Sequence, residues 1–233
     1  VVGAGSAGCV LANRLTADGE HKVLLLEAGD KDTSPLIHMP NVVGVVIAGT
    51  KYNWQLNTAS EPELNNRELF WPRGKGLGGS SPINGMVYIR GHASDYDSWR
   101  QQGNMGWGYE DVLPYFKKSM NQERGEDDYH GVGGPLNVKD GNSKMSIHRK
   151  FIDAGVEAGY PFNPDFNGAE QEGVGPIQLT KIGNKRCSAA RGYLTPIMAR
   201  SNLTIETAAR LTRIVLKNGR ATGVEYLHKG ELK

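Results

Sequence analysis

The feature that most constrains this chain is its opening run, Val1-Val2-Gly3-Ala4-Gly5-Ser6-Ala7-Gly8, in which Gly3, Gly5 and Gly8 form a G-x-G-x-x-G. The residues on both sides give the motif a setting. Val1 and Val2 read as the last residues of a buried strand. Ala7, Val10, Leu11 and Leu15 recur at helical spacing, which predicts a helix with an apolar stripe behind the glycines. Lys22-Val23-Leu24-Leu25-Leu26 reads as a second buried strand, with Glu27 at its carboxyl end. Glu27 lies 19 residues beyond Gly8, close to the spacing of about 20 at which a βαβ unit sets an acid against a ribose.

Together these elements predict a dinucleotide site. Gly3 permits the tight turn out of the strand, Gly5 lets backbone approach a pyrophosphate, and Gly8 lets helix and strand pack closely. A helix N-terminus turns N–H groups and the positive end of its dipole toward phosphate. Glu27 accepts hydrogen bonds from ribose hydroxyls and repels a 2′-phosphate, which favours FAD or NAD over NADP. The chain has 31 glycines in 233 residues, so the alternative is a glycine-rich turn with a solvated glutamate.

Composition narrows the class further. A net charge of +2 with mixed signs gives no nucleic-acid or membrane footprint. The longest apolar stretch, Val42 to Ala48, falls far short of a membrane span. Cys9 and Cys187 are the only cysteines, and the six histidines are scattered. Neither a disulfide framework nor a metal site is expected, and a reducing, cytoplasmic compartment is the better reading. A chain that begins inside a strand, without an initiator methionine, is expected to be clipped.

A second dense motif runs from Trp71 to Gly91, with four glycines between Gly74 and Gly79. Such a loop can lay its backbone against a flat ligand. Ser80 or Ser81 can cap a following helix, with Pro82 in its first turn. Arg73 and Lys75 could face phosphate or an anionic flavin ring; a flexible surface loop with two solvated cations is the alternative.

At this point the chain resembles a known family. Gly74 to Asp97 is similar to the first signature of the glucose-methanol-choline (GMC) oxidoreductases: the double glycine, two hydroxyl residues, Asn84, Tyr88, Gly91 and Asp97. The opening glycine motif with Leu-Leu-Glu-Ala-Gly resembles that family too. So do Ser98-Trp99 with Gly106-Trp107, Tyr129-His130-Gly131, Asp165-Phe166-Asn167-Gly168 and Arg186-Cys187-Ser188-Ala189-Ala190. The likeness covers essentially the whole chain and is greatest to choline- and alcohol-dehydrogenase-like members.

The resemblance implies an α/β fold: a Rossmann-like FAD-binding domain of GMC type with the start of an α+β substrate domain. Residues 1–130 and 201–233 would belong to the FAD domain and 131–200 to the substrate domain. Gly3, Gly5, Ser6, Ala7 and Gly8 would cradle the pyrophosphate, with Glu27 and Ala28 at the ribose. Arg73, Gly74, Gly76, Gly79, Ser80 and the run Asn84, Gly85, Met86 and Val87 would line the flavin and its ribityl chain. Leu211 would meet adenine through its backbone. Some family members tether flavin through a histidine where this chain has Ile83, so non-covalent FAD is expected.

The implied reaction is oxidation of an alcohol, with hydride passing to flavin N5 and electrons leaving to an acceptor such as a quinone, an electron carrier or oxygen. The small-molecule alcohol is the only other partner implied; peripheral contact with a membrane is left open. The family's catalytic histidine would lie beyond Lys233, so no catalytic base is assigned here. The chain therefore reads as the front part of an enzyme. Two alternatives stand beside this: a non-catalytic flavin-binding remnant or regulatory protein, and an NAD-dependent dehydrogenase.

The remaining elements follow from local signals. Ser94 is expected to cap a helix with Asp97 in its first turn. Tyr109 to Met120 reads as a helix kinked at Pro114. The charged stretch Glu123 to Asp128 reads as an exposed connection and a candidate domain boundary. Ser146 to Gly159 is a predicted helix with Ile147, Phe151, Ile152 and Gly155 on one face, and 160–175 a long ordered loop. Leu203–Thr207, Leu211–Lys217 and Arg220–Tyr226 read as strands, the last two joined at Asn218-Gly219. Trp54, Trp71, Trp99 and Trp107 are expected in the core.

Overall fold

The computed structural model describes residues 1–141 and 145–233. The helices are α1 (Ser6–Leu15), α2 (Pro35–His38), α3 (Val43–Ala48), α4 (Ala93–Gln101), α5 (Tyr109–Ser119) and α6 (Ser146–Glu157). The strands up to residue 140 are β1 (Val23–Leu26), β2 (Leu56–Asn57), β3 (Phe70–Trp71), β4 (Val87–Tyr88), β5 (Met120–Gln122) and β6 (Leu136–Asp140). Those beyond it are β7 (Gln178–Ile182), β8 (Lys185–Arg186), β9 (Leu203–Glu206), β10 (Ala209–Lys217), β11 (Arg220–His228) and β12 (Glu231–Leu232). They form two compact units, one of Val1–Gly85 with Asn184–Lys233 and one of Met86–Gly183. The boundaries expected at 130/131 and 200/201 fall inside these units and not at their edges.

In the first unit the expected βαβ is present. Val2 bridges Leu26 in parallel, and β1 pairs β9 in parallel from Val23↔Leu203 to Leu26↔Glu206. The parallel bridge of Val2 with Leu26 requires a crossover, and α1 supplies it. The helix does not bury the stripe expected from its leucines. Its buried face is Gly8, Cys9, Ala12, Asn13 and Thr16, while Leu11 and Leu15 are exposed. The reason is close approach: a Cβ on Gly8 would stand 1.9 Å from the Gly3 carbonyl oxygen, so only small residues fit that face. Leu15 instead lines an open cavity of about 420 Å³ beside Val1, Val2 and Leu24. The β10–β11 hairpin turns at Asn218-Gly219 with φ of 51° and 74°, the left-handed pair that a type I′ turn demands.

The second unit is built on a sheet with strand order β4-β7-β6-β5, in which β5 and β6 run parallel while β7 pairs β4 and β6 antiparallel. Its helices differ from expectation in detail. His92, not Ser94, caps α4: its ring accepts from Ser94 N–H while Asp95 accepts from His92 N–H. Asp97 instead accepts from Tyr109 N–H, outside its own helix. The helix α5 runs on through Pro114, its start held by Asp111 accepting from Gly108 N–H. In α6 the apolar face is exposed, with Phe151 73% and Ile147 58% accessible. The stretch Glu123 to Asp128 is not a boundary; Arg124 pairs with Asp140 and Asp165, and Lys139 with Glu123, inside this unit. The tryptophans are not core residues: Trp71, Trp99 and Trp107 are about half exposed, and Trp99 stacks edge-on against both Tyr96 and Trp107.

Candidate functional site

Three glycine turns of the first unit meet on one carboxylate. Glu27 is buried, and its Oε2 accepts from Ala4 N–H at 2.8 Å. Its Oε1 accepts from Gly29 N–H at 2.8 Å and from Gly76 N–H at 3.0 Å. Further backbone bonds join the same turns: Gly78 N–H to Ala4 O at 2.7 Å and Leu77 N–H to Asp30 O at 3.0 Å. Two in-plane lone pairs per oxygen leave Oε1 fully used and Oε2 with one acceptor site. That single site is what Glu27 can still offer a ribose hydroxyl.

Close backbone approach sets the shape of the cradle. A Cβ on Gly79 would lie 2.7 Å from Gly5 Cα, and a Cβ on Gly29 would lie 2.3 Å from the Lys75 carbonyl carbon. Gly5 is different: a Cβ there would meet nothing within 4 Å. Gly5 is also the N-cap of α1, and no side chain caps the helix. The helix N-terminus therefore opens beside an empty side of the backbone, the arrangement a phosphate group needs. Ser6 and Ala7 are exposed there, and Ala28 is half-buried next to the Glu27 clasp.

The second glycine loop does not lead into a helix. Gly79, Ser81 and Ile83 N–H reach the carbonyls of Gly76, Gly78 and Ser80 in successive tight turns, and the chain then leaves for β4. Carbonyls that a helix would use are taken by Arg186, whose Nη1 donates to Ser81 O at 3.2 Å and to Asn84 O at 2.7 Å. Ser80 turns its hydroxyl back to accept from Gly74 N–H. Arg73 lies over the Trp71 ring and donates to Pro72 O, and Lys75 lies over Trp54. Neither cation is aimed at the cradle. Ile83 is 4% exposed, packed with Ile37 and Val46.

Asn84 and Gly85 end the first unit, exposed, and Met86 and Val87 begin the second. Met86 is buried with φ of 62°, and its carbonyl accepts from Thr180 N–H. A left-handed, unbranched side chain of this kind stores about 1 kcal/mol or more of strain. In the first unit, Leu211 sits opposite Tyr226, which exchanges both its backbone bonds with Lys233 on the far side. Leu211 is thus in a non-hydrogen-bonded pair, and its N–H and C=O point to the outer edge of β10. Ala209, two residues earlier on that edge, donates to Glu27 O at 2.8 Å. The backbone of Leu211 is presented on the side of Glu27.

Of the groups that sequence reasoning missed, Arg186 is the foremost. It is 1% exposed, and nothing in its periodicity announces a buried guanidinium. Asn53 is a second: it is buried, and its Oδ1 accepts from Arg73 N–H and Gln55 N–H, anchoring the start of the loop.

His130 is buried in the second unit, with Nδ1 2.8 Å from Asp127 Oδ1 and Nε2 3.3 Å from Asp165 Oδ2, the latter without hydrogen-bond alignment. Asp165 and then Asp127 hold its pKa above the ordinary 6.5 against the opposing effect of burial. Burial opposes ionisation of Asp127 and Asp165, yet His130 and backbone N–H donors keep both below the ordinary 3.8. The histidine contribution is complete below pH 6.5 and lost as pH rises through the raised value; the aspartate contributions are complete above pH 3.8 and lost as pH falls through the lowered ones. Thermal melting should therefore show a plateau between these limits and a decline above it that His130→Asn removes. An alkaline decline of equal size in the variant would refute that assignment.

Burial pushes the Cys9 thiol up to about 12, with Asp32 and Glu27 adding to it and the Gly78 backbone opposing. Its Sγ donates to Ala4 O at 3.2 Å, and both cysteines are buried thiols. Native protein should react with a chromogenic disulfide reagent at least tenfold more slowly than urea-unfolded protein at neutral pH. Rapid titration of either thiol in the native state would contradict the buried placement. Among the described residues no three His, Cys, Asp or Glu side chains are grouped to hold a metal ion, and no helix is long and apolar enough to cross a membrane.

Comparison with known proteins gives the family. The family model for GMC oxidoreductase matches residues 1–233. The chain belongs to the GMC oxidoreductase family. Among its GMC relatives, an oxygen-dependent choline dehydrogenase from Vibrio vulnificus is 50% identical over 100% of this chain and 42% of its own length. An alcohol dehydrogenase [acceptor] from Pseudomonas putida is also 50% identical, over 98% of this chain and 42% of its own. Pyridoxine 4-oxidase from Mesorbium loti superposes with a TM-score of 0.95 at 34% identity, covering 100% of this chain and 46% of that one. This GMC chain thus spans less than half the length of the relatives it matches. The α/β fold of GMC type expected from sequence is the one found.

Proposed function

We propose that this chain carries the FAD-binding part of an oxidoreductase acting on the CH–OH group of an alcohol, of the choline and alcohol dehydrogenase kind. The observation that carries the reading is the convergence of three glycine turns on Glu27 beside the open face of Gly5. FAD, when bound, supplies the hydride acceptor. The chain's own residues bind and orient. Gly3 to Gly8 offer backbone N–H groups to the pyrophosphate, and Glu27 Oε2 takes one ribose hydroxyl, with Ala28 beside it. The outer edge of Leu211 reads adenine through one N–H and one C=O. Gly74, Gly76, Gly79 and Ser80 and the run Asn84 to Val87 lie along the flavin. Arg73 contributes its backbone and not its guanidinium. Ile83, closed into an apolar cluster, supports non-covalent binding.

By function, residues 1–130 and 201–233 form the cofactor domain, which takes in both the glycine turns and the Leu211 edge, and 131–200 begins the substrate domain. The alcohol and the electron acceptor, whether quinone, electron carrier or oxygen, are the partners of this reading. A reducing, cytoplasmic location is supported by the two buried thiols, and cell fractionation, with a salt wash for peripheral membrane attachment, checks it. The function is tested by titrating the protein with FAD and with NAD while following flavin absorbance and fluorescence. Saturable uptake of FAD alone is expected. Uptake of NAD in its place would overturn the reading in favour of a nicotinamide dehydrogenase.

A further inference from the structure

Arg186 stands out among buried groups because nothing in the proposed chemistry has used it. It is 1% exposed, and among the described residues no carboxylate lies within ion-pair distance of it. A guanidinium taken from water without a counter-ion is costly unless its donors are satisfied. Here Nη1 and Nε are met by oxygens. Nη1 donates to Asn84 O at 2.7 Å, Asn84 Oδ1 at 2.8 Å and Ser81 O at 3.2 Å, and Nε to Ile37 O at 3.3 Å. Burial presses its pKa downward, but an arginine stays charged in proteins. The same segment adds a second tie, Ala189 N–H to Ser81 Oγ at 2.9 Å, and that hydroxyl in turn donates to Gly78 O.

The partners of Nη1 all lie at one place in the loop, and that of Nε in α2. Ser81 and Asn84 are the last polar residues before Gly85, where an added Cβ would meet nothing within 4 Å. Both the carbonyl and the side chain of Asn84 are clamped by one planar donor group. The peptide that follows Asn84 is therefore oriented from behind by Arg186. A lysine, with a single donor nitrogen, could replace Nη1 at these oxygens but could not hold Ile37 O at the same time, as the separate Nε of Arg186 does.

We infer that Arg186 is a positioning residue that fixes the Ser81–Gly85 turn in the shape that receives the isoalloxazine ring of a flavin. The inference rests on the flavin reading of the same loop, but the clamp itself exists without the cofactor. Hydrogen exchange on the apo-protein therefore tests it separately. In Arg186→Lys and Arg186→Met, amides of residues 81–86 should exchange at least tenfold faster than in the unmodified chain. Those of α1 and β1 should be unchanged, which shows that both variants are folded. Asn84→Ala, which removes only the side-chain acceptor, should give a smaller increase in the same peptide.

FAD titration of the same set should then show about a tenfold weaker affinity for Arg186→Lys and a larger loss for Arg186→Met. The induced circular dichroism of the bound flavin band should also be altered, a signature that global destabilisation alone would not move. Unchanged exchange at 81–86 in folded variants would overturn the inference. Loosened exchange with undiminished FAD affinity would overturn its flavin part. If the unmodified chain takes up no FAD, the function proposal fails and the clamp is judged on exchange alone.

Discussion

Replacing Glu27 by alanine is expected to lower the stability of the protein by about 3–6 kcal/mol, enough to unfold a domain of ordinary stability. The figure comes from counting donors. Ala4, Gly29 and Gly76 would each lose their acceptor in a buried place, and an orphaned buried donor costs about 1–3 kcal/mol. Water admitted to the gap would bring the sum toward the lower end. Glu27→Gln keeps the shape but sets its amide nitrogen against at least one backbone N–H, so a loss of about 2 kcal/mol is expected. FAD binding should fall with both, because the turns that form the cradle are held in register by this carboxylate. Urea unfolding followed by circular dichroism measures the first effect and cofactor titration the second. A Glu27→Ala protein that unfolds at the same urea concentration as the unmodified chain would show that the turns hold together without the clasp.

The clasp also marks how far the sequence could be read. The spacing from Gly8 to Glu27 predicted an acid at the end of β1, and the acid is there. The three backbone donors it collects were not legible, because two come from turns that sequence spacing cannot bring together. Gly76 is 49 residues away from Glu27. The buried face of α1 was misjudged for a related reason. Leucine periodicity assumes that the largest apolar residues are buried, but at a backbone contact as close as that of Gly8 with Gly3 only small residues fit. The burial of Arg186 was hidden because arginine is read by default as a surface residue, and three of its four acceptors are backbone carbonyls that carry no sequence signature. The hairpin at Asn218-Gly219 was legible in full, since its left-handed backbone is a local demand.

Gly5 and Gly8 should respond to alanine in opposite ways, and the contrast separates packing from ligand binding. At Gly8 an added Cβ would stand 1.9 Å from Gly3 O and 3.0 Å from its carbonyl carbon. Both belong to backbone that cannot withdraw without breaking Gly3 N–H to Leu26 O, a 2.7 Å bond that ties the turn to β1. Gly8→Ala should therefore destabilise the apo-protein by about 2–4 kcal/mol, within the range of overpacked sites, and weaken cofactor binding only as a consequence. At Gly5 the added methyl meets nothing within 4 Å, and φ is −70°, a value any residue adopts. Gly5→Ala should leave apo stability within about 0.5 kcal/mol of the unmodified chain, or raise it slightly by restricting the unfolded state. The same methyl occupies the side from which a pyrophosphate must approach the helix N-terminus. FAD affinity should accordingly fall at least a hundredfold in a protein that folds normally. If Gly5→Ala bound FAD as tightly as the unmodified chain, the open face beside Gly5 would not be the phosphate site.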